Sequence, residues 1–135
     1  MPSWSPMSEL IGSRVFLVED ETGVAMLIED MLEELGCELV ASVAHLAQAF
    51  DVVASTVFDV AILDVNVSGE QVFPLASTLA TRGIPIVFST GYGMAGIPEE
   101  MRVYPVLAKP FAFDELKRTL VSVLREAPDA RRRSV

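Results

Sequence analysis

The sequence predicts an α/β domain on a parallel sheet, assembled from five strand–helix pairs. Three observations point there. Short, wholly apolar runs alternate with longer stretches whose apolar residues recur every three or four positions, the pattern of buried parallel strands joined by crossover helices. A length of 135 residues suits one domain. A hydrophobic content of 51% supplies one core of ordinary size and excludes global disorder.

The first apolar run, residues 14–19 (RVFLVE), has the continuous Val/Phe/Leu character of a strand covered on both faces. Residues 22–36 follow as a helix with Val24, Leu27, Ile28, Met31 and Leu35 on one stripe and Gly36 as its C-terminal cap. Its opposite face is acidic, with Glu21, Glu29, Asp30, Glu33 and Glu34. Leu39, Ala41 and Val43 alternate with less apolar neighbours, so the second strand is expected half covered, near a sheet edge. Residues 45–55 read as the second helix, and residues 59–63 as an all-apolar third strand ending at Asp64.

The third helix, 71–82, aligns Val72, Leu75, Ala76 and Leu79 and takes Pro74 in its first turn. Residues 84–89 make the fourth strand and 103–108 the fifth; Pro105 lacks an amide donor, which assigns that strand to an edge. The last helix is expected to start near Asp114 as N-cap and to bury Leu116, Leu120, Val123 and Leu124. Between strands four and five, Gly91, Gly93, Gly96 and Pro98 disfavour a helix, so that connection reads as mostly loop. Residues 1–12 and 126–135 lack periodic apolar positions and are expected as flexible tails around a domain spanning 13–125.

Ten Lys and Arg stand against nineteen Asp and Glu, a formal charge of −9. That balance argues against nucleic-acid binding, which draws its affinity from Lys and Arg on phosphates. No apolar run approaches the roughly 20 residues that span a bilayer, and no secretory signal opens the chain. The expectation is a soluble, cytoplasmic protein without a membrane partner, monomeric or weakly dimeric. Cys37, the single cysteine, permits no internal disulfide and reads as a buried, inert thiol.

In open parallel sheets, ligands bind beyond the carboxyl ends of the strands. There the first strand offers Glu19 and Asp20, the third Asp64, the fourth Ser89 and Thr90, and the fifth Lys109 followed by Pro110. Singly, each acid reads as a turn former or cap, Thr90 as a loop residue and Lys109 as a solvated cation. Together they make three carboxylates, a hydroxyl and an amine on one edge, in a chain with one other lysine, Lys117. Carboxylates packed so closely repel unless a cation lies between them, and hard oxygen donors suit Mg2+. Lys109 and Thr90 could hold a small anion against such an ion.

These residues resemble the receiver domain of bacterial two-component response regulators. The resemblance rests on Glu19-Asp20 after VFLV, Asp64 after VAIL, Thr90-Gly91 after IVFS, and Lys109-Pro110-Phe111, and it covers residues 13–125. It implies a (βα)5 flavodoxin-like sheet of order 2-1-3-4-5. It implies Asp64 as the nucleophile that accepts a phosphoryl group from a sensor histidine kinase or phosphotransfer protein. Mg2+ would be bound by Asp20, Asp64 and the Asn66 carbonyl, with Glu19 acting through water or as an outer acceptor. Thr90 would bond one phosphoryl oxygen, Lys109 would neutralise another, and Lys109-Pro110 would be a cis peptide.

The chain departs from the family pattern at Glu19, where Asp is usual, at Ser68, where the loop commonly has Pro before Gly69, and at Val106, where the family has a switch aromatic. Tyr104 is expected to face elsewhere. Phe88-Ser89-Thr90-Gly91-Tyr92 resembles a subgroup with the motif Phe-Ala-Thr-Gly-hydrophobic-Tyr, with Ser89 for Ala and Gly93 for the final Tyr. That likeness implies no switch aromatic, a poorly ordered fourth helix, and stand-alone receivers served by HWE-class or related kinases.

The expected function is therefore a response regulator without an output domain, signalling through an unidentified partner protein or storing phosphate. A turnover enzyme is not expected; the domain would catalyse phosphotransfer to itself and its own dephosphorylation. The alternatives are an aspartyl-phosphate phosphohydrolase, which needs a second Asp where Asn66 stands, and a pseudo-receiver that signals without phosphorylation. A dinucleotide-binding domain fails for want of a Gly-x-Gly-x-x-Gly after the first strand.

Overall fold

The computed structural model describes residues 10–126. Of the expected tails, residues 1–9, which include Trp4, and 127–135 lie outside the described residues. Of residues 10–12, Leu10 is fully buried and Gly12 N–H donates to the Gly36 carbonyl at 2.8 Å, while Ile11 is exposed.

Five parallel strands form one sheet: β1 (Arg14–Val18), β2 (Glu38–Val43), β3 (Val60–Asp64), β6 (Ile86–Thr90) and β7 (Val106–Ala108). Their order is β2-β1-β3-β6-β7, the expected 2-1-3-4-5 arrangement. The central strands β1, β3 and β6 are buried on both faces, which is why they read as unbroken apolar runs. β2 lies at one edge and is only partly covered, as its alternation predicts.

Because side chains alternate along a strand, the sheet divides the interior into two cores. Phe16, Val18, Ala61, Leu63, Ile86 and Phe88 face one side, beneath α2 (Leu46–Ser55) and α3 (Phe73–Thr81). Val15, Leu17, Val60, Ile62 and Val87 face the other, beneath α1 (Thr22–Glu34) and α4 (Phe113–Glu126). Val72, Leu75, Ala76 and Leu79 are all fully buried, and α4 buries Leu116, Leu120, Val123 and Leu124 together with Val121.

Several expectations are corrected. On α1 the buried face is Ala25, Ile28 and Leu32, continued by Leu35 beyond the helix; Val24 and Met31 are half-buried and Leu27 is 52% exposed. This helix carries two adjacent apolar stripes, and the one through Ala25, Ile28 and Leu32 is the one that packs beneath the sheet. Gly36 does cap the helix, with φ +82°. Pro105 lies outside β7 rather than within it, although its carbonyl still accepts from Phe88 N–H at 2.9 Å; β7 is an edge as expected. Asp114 is not the cap of α4: the helix begins at Phe113, and Ala112 N–H donates to Glu115 Oε1 at 3.0 Å, one half of a capping box. Cys37 is half-buried, with its thiol pushed up to about 11 by burial.

A small hairpin was not anticipated. β4 (Asn66–Val67) pairs antiparallel with β5 (Glu70–Gln71) right after β3. Its two turn residues, Ser68 and Gly69, both have positive φ, +52° and +84°, the requirement of a type I′ hairpin turn. The Ser-Gly pair was the available sequence signal. Between β6 and β7 the chain makes only two 3-10 turns, Gly93–Gly96 and Glu99–Met101, in keeping with the loop expected there.

Candidate phosphoacceptor site

The residues expected at the strand ends come together at the carboxyl edge of the sheet. Asp64 closes β3, the middle strand, and is 6% exposed. It pairs in register with Ser89 of β6, and Lys109 follows β7 directly. Lys109 reaches back so that its Nζ lies 3.1 Å from Asp64 Oδ2 and 2.9 Å from Glu19 Oε1, with Glu21 Oε1 at 3.5 Å. The Lys109–Pro110 peptide is cis. Thr90 is buried, and its Oγ1 accepts from Tyr92 N–H at 3.0 Å, which leaves the hydroxyl proton free to donate.

Three carboxylates pair with this ammonium and Asp20 joins their cluster: Glu19, Asp20, Glu21 and Asp64 each place an oxygen within 4.8 Å of the others. Glu21 is the member that sequence reasoning missed. It was placed on the acidic face of α1, but it precedes that helix as its N-cap residue and turns toward Lys109. Its position directly after Glu19-Asp20 was the signal. Glu19 is buried, with the extra methylene of Glu over Asp carrying its carboxylate to the lysine; its Oε2 accepts from Glu21 N–H at 3.1 Å. Asn66 sits at the exposed rim, donating its N–H to Asp64 Oδ1 at 3.3 Å while its side-chain oxygen accepts from Gly69 N–H at 3.0 Å.

The electrostatics follow from this crowding. Burial first, then repulsion from Glu19, pushes the Asp64 carboxyl up to about 7 against the pull of Lys109. Asp20 is pushed up by its partial burial, yet hydrogen bonds, first among them that from Ser68 N–H, hold it below the usual carboxylate range. Burial works against the Lys109 charge, but Glu19 and Asp64 keep its pKa above that of an ordinary lysine. Ser89 Oγ is buried and has no hydrogen-bond partner among the described residues.

A cleft of about 830 Å3 opens from Asp64, Thr90 and Lys109 and runs along α1, where Val24, Leu27 and Met31 line it opposite Tyr92 and Phe111. The flank of α1 that splays from the sheet is thus a wall of this cleft. Val106 and Tyr104 both pack on the α2/α3 side of the sheet, away from the cleft lining, and Tyr104 meets Phe88 edge-on at 6.1 Å.

The response regulator receiver domain model matches residues 15–121. The chain belongs to this family. As a receiver it is similar to SdrG from Sphingomonas melonis Fr1, whose solution structure is 40% identical with a TM-score of 0.76, covering 84% of this chain and 97% of that one. It is also similar to the BeF3-activated conformation of SdrG from Pseudomonas melonis Fr1, at 39% identity and a TM-score of 0.73, with 84% and 98% covered. A curated relative, the transcriptional regulatory protein PdtaR of Mycobacterium tuberculosis, is 30% identical over 107 residues, 76% of this receiver and 52% of PdtaR. The chain thus spans about half the length of the curated relatives it matches. Among the described residues no helix is long and apolar enough to cross a membrane.

Proposed function

We propose that this receiver is the phosphoacceptor of a phosphorelay, with Asp64 as the residue that takes the phosphoryl group. One observation carries the reading: a single buried-edge ammonium, Lys109, is held within 3.1 Å of Asp64 and 2.9 Å of Glu19 at the mouth of the cleft. An Asp64 oxygen attacks the phosphorus of a phosphohistidine on a sensor kinase or phosphotransfer protein. The N–P bond breaks, its electrons return to the imidazole, and an acyl phosphate forms on Asp64. Catalysis of this step is chiefly positioning and charge neutralisation. Lys109 neutralises one phosphoryl oxygen, and the free Thr90 hydroxyl proton is donated to another.

The donor set fits Mg2+. Its oxygens are hard ligands, and four clustered carboxylates share one ammonium, Lys109 Nζ, which lies 2.9 Å from the buried Glu19 Oε1. Asp20, Asp64 and the Asn66 carbonyl would hold the ion, with Glu19 and Glu21 around it. When bound, Mg2+ offsets negative charge on the carboxylates and on the phosphoryl oxygens.

The signal leaves through Thr90. Tyr92 N–H is bonded to its Oγ1, so a phosphoryl group that engages Thr90 acts directly on the start of the 3-10 segment. That segment, rather than a swinging aromatic at Val106, is the moving part in this reading. Output passes by protein contacts in the cytoplasm, or the domain stores phosphate until hydrolysis of the acyl phosphate releases it.

Intact mass after incubation with Mg2+ and phosphoramidate tests the assignment. One phosphate should add to the wild type and none to Asp64→Ala. An unchanged yield in that variant overturns it, and sustained turnover of a phosphomonoester would favour a hydrolase instead.

A further inference from the structure

Ser68 has the one positive φ outside glycine among the described residues, +52°. A serine does not adopt that backbone without a reason, and the hydrogen bonds around it supply one. Its N–H donates to Asp20 Oδ2 at 2.7 Å, a short charge-assisted bond across 48 residues of chain. Its Oγ donates to the Ala44 carbonyl at 3.2 Å and lies 3.3 Å from His45 Nδ1. The turn of the β4–β5 hairpin is therefore tied on one side to the Asp20 carboxylate and on the other to the loop between β2 and α2. Proline at this position could make none of these bonds: it has no N–H and no hydroxyl, and its ring fixes φ near −65°.

We infer that Ser68 is a positioning residue for Asp20: its turn amide holds one carboxylate oxygen of Asp20 and so presents the other toward the Asp64 cluster. The inference rests on the phosphoacceptor reading. A ligand already oriented by an outer hydrogen bond loses less freedom when a cation binds, and removing such partners weakens metal sites about 10- to 100-fold. The side-chain bonds to Ala44 and His45 keep the turn in register but do not touch the ligand.

The test is Mg2+ affinity of the full chain, measured by calorimetry, for wild type, Ser68→Gly, Ser68→Ala and Ser68→Pro. Glycine keeps the amide and the positive φ, and alanine keeps the amide, so both should bind Mg2+ within about twofold of wild type. Proline removes amide and φ together and should weaken binding about 10-fold or more. If Ser68→Pro loses thermal stability but binds Mg2+ as wild type does, or if Ser68→Gly loses as much affinity as Ser68→Pro, the positioning role is overturned. Saturable Mg2+ binding by the wild type separates this failure from failure of the phosphoacceptor reading, which its absence would overturn as well. A second measurement needs no proline variant: the Ser68 amide should be protected from hydrogen exchange in the wild type and released in Asp20→Ala, which removes the acceptor. An amide already unprotected in the wild type refutes the inference.

Discussion

Replacing Glu19 by Gln should lower the pKa of Asp64. Glu19 is 3% exposed, and its carboxylate lies within 4.8 Å of that of Asp64. Two unit charges at that separation repel by about 3.5 kcal/mol at an effective dielectric of ~20, which corresponds to about two and a half pH units. Water on the open side of the cleft screens part of this, leaving a downward move of roughly one to two units. Gln keeps the shape of Glu, so the burial of Asp64, the larger cause of its elevation, stays in place. Lys109 also stays, with one competitor fewer.

The assay is a carboxyl 13C titration of metal-free protein. Asp64 should titrate near 7 in the wild type and clearly lower in the variant. Stability gives a second readout. The folded chain binds the Asp64 proton more tightly than the unfolded chain, whose ordinary value is 3.8, so metal-free stability falls as pH rises from about 4 to about 7, and the full cost is present above that range. In Glu19→Gln that fall should be shallower and end at lower pH. If Asp64 titrates within half a unit of wild type in the variant, burial alone accounts for its elevation and the charge argument is wrong.

Three further outcomes are expected. Phe88 is fully buried between Phe73, at 5.8 Å, and Tyr104, at 6.1 Å, so Phe88→Ala should cost about 3–5 kcal/mol in urea unfolding; a loss under 1 kcal/mol would mean this core is not close-packed. Gly36 has φ +82°, and an added Cβ would sit 2.9 Å from Ile11 Cγ1, so Gly36→Ala should destabilise by about 1–2 kcal/mol, and a neutral result would contradict the capping geometry. Residues 91–99 should exchange their amides rapidly and become more protected with beryllofluoride and Mg2+; changes confined to α1 would move the switch there instead.

Apolar periodicity was enough for the five strands of the parallel sheet, for the helices and for the double-sided burial of its centre, but not for the polar β4–β5 hairpin. A strand closed off from water on both faces, such as Val60–Asp64, has to be written in apolar residues, and that constraint is visible in any single sequence. The site was legible for a related reason: the turn from a buried strand to water is where a polar residue first becomes affordable, so Glu19, Asp64, Thr90 and Lys109 stand out against the runs that precede them. What the sequence left open depends on distances between segments remote along the chain. Which stripe of α1 meets the sheet was decided by packing, since both stripes are apolar yet Ala25, Ile28 and Leu32 are buried and Leu27 is 52% exposed. Glu21 joins the cluster because the chain bends at the N-terminus of α1, and the tie from Ser68 to Asp20 spans 48 residues. Periodicity records what each segment hides from water; only packing decides which polar groups of different segments meet.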